Sequence, residues 1–155
     1  MAAVASATLS GNDPSDHVAK STTAAVMVNG DTIFTTVGDI LIFGLASECY
    51  TANNATASTL QYQVVSATGT STISAASASL ANAAIGVSVV AQLGALANAP
   101  TVTAASGVGV FPWGAVRIPS GSAIKLVIGV GSTTGTWRHY LRYEPFEAGA
   151  YVVAV

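Results

Sequence analysis

Apolar and polar positions alternate most sharply over residues 136–143. Trp137, His139, Leu141 and Tyr143 fall on one side of an extended chain, and Thr136, Arg138, Tyr140 and Arg142 on the other. Pro145 ends that run. Leu60, Tyr62 and Val64 alternate against Gln61 and Gln63 in the same way and predict a second half-buried strand. The run Ile40, Leu41, Ile42, Phe43 and Leu45 is nearly continuous in apolar residues. It is short and flanked by Gly38 and Gly44, so it predicts a buried strand, with Gly44 at a bulge or a close backbone approach. Residues 122–131 predict another strand, with the Ser-Thr-Thr-Gly sequence at 132–135 as its turn. A last strand follows Gly149. Asn29-Gly30 between β-rich runs is the strongest hairpin signal and predicts that 26–28 pair with 32–35.

Elsewhere the pattern is softer. Gly69 opens a turn into a low-charge strand or irregular segment. Residues 80–93 are rich in Ala, but Gly86 and the β-branched Val87, Val89 and Val90 favour a strand. Residues 95–107 read as a loop around Pro100. A strand over 108–118 is broken at Pro112 and ends in a turn at Pro119-Ser120-Gly121. Residues 1–25 show no helical or strand period and read as an extended surface arm, with a reach of roughly 80 Å. The expected organisation is that arm and one β domain over 26–155. Closely spaced strands without a helix predict an all-β antiparallel β-sandwich or β-barrel of jelly-roll or Greek-key type.

Composition sharpens the picture. Of 155 residues, 51% are hydrophobic but only 8% charged, where roughly a quarter is ordinary. Residues 49–116 contain no Asp, Glu, Lys, Arg or His. Strand edges without charge invite pairing with other chains, so copies of itself or a larger lattice are expected to cover much of the surface. The formal net charge of −2 argues against a nucleic-acid partner. No apolar stretch has the length and side-chain size of a membrane span, and the N-terminal residues lack the pattern of a signal peptide.

Candidate chemistry is sparse. Cys49 is the single cysteine and reads as a small buried hydrophobe, which leaves neither an intrachain disulfide nor a zinc site of several thiolates. Ser122-Ala123-Ile124-Lys125 fits an acyl-transfer spacing, but in a strand positions three apart face opposite ways. Gly107-Val108-Gly109 and Gly129-Val130-Gly131 lack the third glycine and the helix of a phosphate loop. Asp13, Asp16 and His17 read as a solvated turn and His139 as a core histidine. No cofactor, metal or catalytic residue is expected. Arg138, Tyr140 and Arg142, with Lys125 from a neighbouring strand, are candidates for one contact face, since Arg and Tyr are favoured at interfaces. Phe111 and Trp113 are further contact candidates on the body, and Asp13, His17 and Lys20 in the arm.

The C-terminal stretch IPSGSAIKLVIGVGSTTGTWRHYLRYEPFEAGAYVVAV resembles the ends of small β-rich structural proteins of tailed bacteriophages. DILIFGLASECYTANNATASTLQYQVV is similar to their earlier part. The resemblance implies a virion accessory protein, namely a capsid cement or decoration subunit that commonly forms homotrimers on the head and bridges major capsid subunits. It implies no enzyme activity. Its expected location is the capsid surface, after synthesis in the cytoplasm of a bacterial host. Two alternatives stay open: a tail or neck component, and a carbohydrate-binding β-sandwich module with Trp113 as its stacking platform.

Overall fold

The computed structural model describes residues 17–21, 23–105, 111–130 and 132–155. Twelve strands are defined among them: β1 (His17–Lys20), β2 (Ala25–Val28), β3 (Thr32–Val37), β4 (Ile40–Cys49), β5 (Thr59–Ser66), β6 (Gly69–Thr72), β7 (Ser88–Val90), β8 (Thr101–Val102), β9 (Val116–Ile118), β10 (Ala123–Gly129), β11 (Ser132–Pro145) and β12 (Tyr151–Ala154). The fold is all-β, and every strand pairing is antiparallel.

Two sheets face each other as a β-sandwich. The first is built on the long neighbours β11 and β4. On its far side β11 pairs with both β1 and β2, while β4 pairs with β7 and β9, and β8 adds beyond β7. The second sheet runs β12-β3-β10-β5-β6. The period of two decides which residues enter the space between them. Trp137 and Leu141 from β11 and Ile42, Leu45 and Cys49 from β4 meet Phe34, Leu60, Tyr62, Ile124 and Leu126 of the second sheet, all buried.

The alternation read over 136–143 and 60–64 is observed residue by residue. Other expectations need correction. Segments 26–28 and 32–35 do not pair: β2 joins β11 in one sheet and β3 joins β10 and β12 in the other. The turn itself forms, with the Asp31 amide donating to the Val28 carbonyl at 3.1 Å. Gly30 has φ +92° while Asn29 keeps a negative φ. Positive φ at the third turn position alone is the type II pattern, which splays the flanking strands instead of matching their twist. The Leu126 carbonyl accepts from Gly30, and the Asn29 side-chain oxygen accepts from the Ile128 amide, so β10 holds the corner open.

The Ser-Thr-Thr-Gly sequence is not a turn. It opens β11, and Ser132 stands opposite Val28. Residues 80–87 form turns, so the predicted strand there shrinks to β7. Ala67-Thr68 makes the β5–β6 turn, and Gly69 is already the first residue of β6. Of the strand expected over 108–118, β9 forms, whereas 111–115 is a loop and 108–110 lie outside the described residues. Of the expected arm, residues 1–16 lie outside the described residues, and His17–Lys20 is a strand of the first sheet.

Candidate functional site

The outer face of the first sheet gathers most of the expected contact residues. Register places them there. Arg138, Tyr140 and Arg142 point outward from β11, opposite Glu48, Ala46 and Gly44 of β4. On the other flank, Lys20 stands opposite Tyr140 and Val18 opposite Arg142. Gly44 pairs with Arg142 but Ile42 with Tyr143, so Phe43 is an extra residue. This is a β-bulge, and it helps bring the Phe43 ring to the outer face.

Phe111 lies over the bulge. A Cβ at Gly44 would come 2.8 Å from Phe111 Cδ1, so glycine is what lets that ring seat. Three residues on, Gly114 and Gly94 meet backbone to backbone, with no room for a side chain on either. That contact pins the loop whose tip is Trp113. The indole is 97% exposed.

These residues enclose a groove. Its larger part has a volume of about 360 Å³ and is lined by Val18, Phe43, Gly44, Phe111, Tyr140 and Arg142. A smaller part of about 140 Å³ shares Phe43, Phe111 and Arg142 and extends to Trp113.

Charge concentrates on the same face. Arg117 on β9 stands opposite Leu41, in line with the outward side of β11. Lys20, Arg117, Arg138 and Arg142 are thus four of the five basic residues of the chain. The fifth, Lys125, was expected to join them; it lies on β10 in the other sheet. Tyr140 donates its hydroxyl to Glu48 Oε2 at 2.8 Å. Desolvation first, then the Glu48 carboxylate, pushes the Tyr140 phenol above its ordinary range. Lys20 Nζ lies 5.3 Å from the Tyr140 ring centre, and the Arg138 guanidinium 4.2 Å from that of Tyr50. Arg117 pairs with Asp39, whose carboxyl is held below its usual range first by the Ser120 amide and then by Arg117.

Lys20, Phe111, Trp113, Arg138, Tyr140 and Arg142 therefore share one face. His17 does not join them; it sits opposite Tyr143, with ring centroids 5.2 Å apart. Asp13 lies outside the described residues. Sequence reading missed Val18 and Phe43. Val18 was counted as arm, and Phe43 was hidden inside an apolar run whose phase the bulge changes.

A second cluster of chemical groups is buried between the sheets. His139 Nδ1 lies 2.8 Å from Ser47 Oγ, which lies 2.8 Å from the Tyr62 hydroxyl. Tyr62 donates its only hydroxyl proton to the Val89 carbonyl at 3.0 Å. Ser47 must then donate to Tyr62 and accept from His139 Nδ1–H. A nucleophile–base pair needs the opposite direction, with the serine giving its proton to the imidazole. Ser47 is also fully buried. This line is a structural relay from β11 through β4 to β5. Among the described residues no three His, Cys, Asp or Glu side chains gather as metal ligands, and no helix is long and apolar enough to cross a membrane. No protein-family model, curated protein or solved structure matches the chain.

Proposed function

We propose that this protein is a non-enzymatic structural subunit of a phage virion. In this reading it is a cement or decoration protein that binds the head surface and bridges major capsid subunits. One observation carries the docking argument: aromatic and basic residues scattered over the sequence meet on one outer face, around a preformed groove. Tyr, Trp and Arg are the side chains that dominate protein interfaces. The charge-free stretch 49–116 supports the same reading, because copies packed side by side leave little surface to be solvated by ions. The mechanism is additive burial. Each copy contributes a modest interface with the major capsid protein and with its own sister copies, as a homotrimer, and symmetry multiplies it over the shell.

The test is whether the protein co-purifies with intact virions in copy number comparable to the major capsid protein. Comparable numbers support a cement role. Low numbers point to a tail or neck component, and absence from virions overturns the reading. A carbohydrate-binding module is the second reading, favoured by Trp113 standing free beside Pro112. Glycan-array binding that disappears in Trp113→Ala would select it.

A further inference from the structure

We propose that Trp113 of one copy fills the groove pocket of a second copy of this chain. The inference rests on the assembly reading above and names the contact between sister molecules. Four observations lead to it. Trp113 is 97% exposed, so among the described residues it packs against almost nothing and adds nothing to the core. Its loop is nevertheless pinned, because the Gly94–Gly114 approach leaves the backbone no space to shift inward. An unpacked indole on an anchored backbone has only its side-chain rotation to lose on docking.

The hole lies on the same face. Its larger part holds about 360 Å³, whereas an apolar cavity of about 150 Å³ already accepts benzene. Gly44 lets the Phe111 ring seat against its backbone, and Phe43, Phe111 and Tyr140 line the hole with rings. Arg142 lines the wall beside them. Trp113 borders the adjoining smaller part, so knob and hole sit side by side.

That adjacency makes the surface self-complementary. Knob and hole are neighbouring but distinct patches, so around the three-fold axis of a homotrimer each copy can pass its indole to the next and leave the rest of the face for the head. Charge does not oppose the encounter. Arg138 stands opposite Glu48, Arg117 is paired with Asp39, and Glu144 shares the outward side of β11 with Arg142. A face carrying both signs can meet its own copy with unlike charges in register.

Trp113 and Trp137 are the only tryptophans, and Trp137 is fully buried. Solvent-exposed indole emission therefore reports Trp113. Fluorescence and light scattering across a protein dilution series supply the test. The expected result is a blue shift with rising concentration, in step with a molar mass of two chains or more. Trp113→Ala should move the association midpoint to a roughly thirtyfold higher concentration or beyond. Val18→Phe fills the hole from its own chain at an exposed strand position without adding an indole, and should weaken association while leaving Trp113 in water.

A wild-type monomer with exposed emission at every concentration overturns the contact. So does association that neither substitution weakens, or a Trp113 shift seen only with a glycan or with capsid protein. Co-purification with virions is scored separately. A monomer that still coats heads would remove this contact and leave the assembly reading standing.

Discussion

At the scale of single residues, the direction of one hydrogen-bonded line determines how the protein responds to acid. His139 donates through Nδ1 to Ser47, Ser47 to Tyr62, and Tyr62 to the Val89 carbonyl. The imidazole is neutral in this state, and burial pushes its pKa down to about 4 from an ordinary 6.5. Protonation would leave the Nδ1 donor in place, but it would put a charge among apolar side chains. Between those two values the unfolded chain binds a proton that the native state refuses. Stability therefore falls as pH drops through that window, by about 3 kcal/mol at pH ~4, and the loss is absent above pH ~6.5. Asp39 adds its own loss at lower pH, since its carboxyl is held below the usual range in the fold. His139→Asn keeps a donor for Ser47 and removes the titration. Urea unfolding at about pH 7, 5.5 and 4.5 should show wild type weakening stepwise and His139→Asn nearly flat. A flat wild type would mean that the ring is not buried neutral.

At the scale of elements, strand positions were readable because their burial alternates with a period of two, and turn positions were readable less well. The inward residues of β11 and β5 follow directly from alternation. The corner at Asn29-Gly30 shows the limit. Its residues specify a reversal, but only the distant β10 backbone decides that the two arms enter different sheets. Similarly, Ser132–Gly135 has turn composition yet becomes strand because β2 offers it a partner. The groove was half legible. Arg138, Tyr140 and Arg142 announce an outward face, whereas the bulge at Phe43 and the seating of Phe111 on Gly44 depend on long-range register. Extending β11 shifts the reversal after β10 onto Val130, which takes φ +66°. A β-branched side chain in the left-handed region costs on the order of 1–2 kcal/mol. Asn tolerates that region and suits an exposed position. Val130→Asn should therefore stabilise the protein by about 1 kcal/mol, raising the thermal midpoint by about 2–4 °C. A lower midpoint would show that the valine side chain contributes packing that outweighs its backbone strain.

At the scale of the whole molecule, the distribution of charge separates two kinds of assembly. The sandwich carries four of its five basic residues on one face and none of its charged residues between 49 and 116. If sister copies or a shell were held by ionic bridges, screening would loosen them. The Debye length falls from about 30 Å at 0.01 M salt to about 3 Å at 1 M, and exposed pairs lose most of their attraction over that range. An interface centred on an indole, phenyl rings and uncharged strand surface loses little, because apolar burial does not depend on screening. Sodium sulfate should even tighten it, as an excluded salt that favours burial. The association midpoint, and attachment to virions where it is measured, should thus move by less than about tenfold between low salt and about 1 M sodium chloride. In sulfate it should shift toward lower protein concentration. A steep loss in chloride would transfer the weight from Trp113 and its groove to Lys20, Arg138 and Arg142, and the single substitutions Arg138→Gln and Lys20→Gln would then reproduce the loss at low salt.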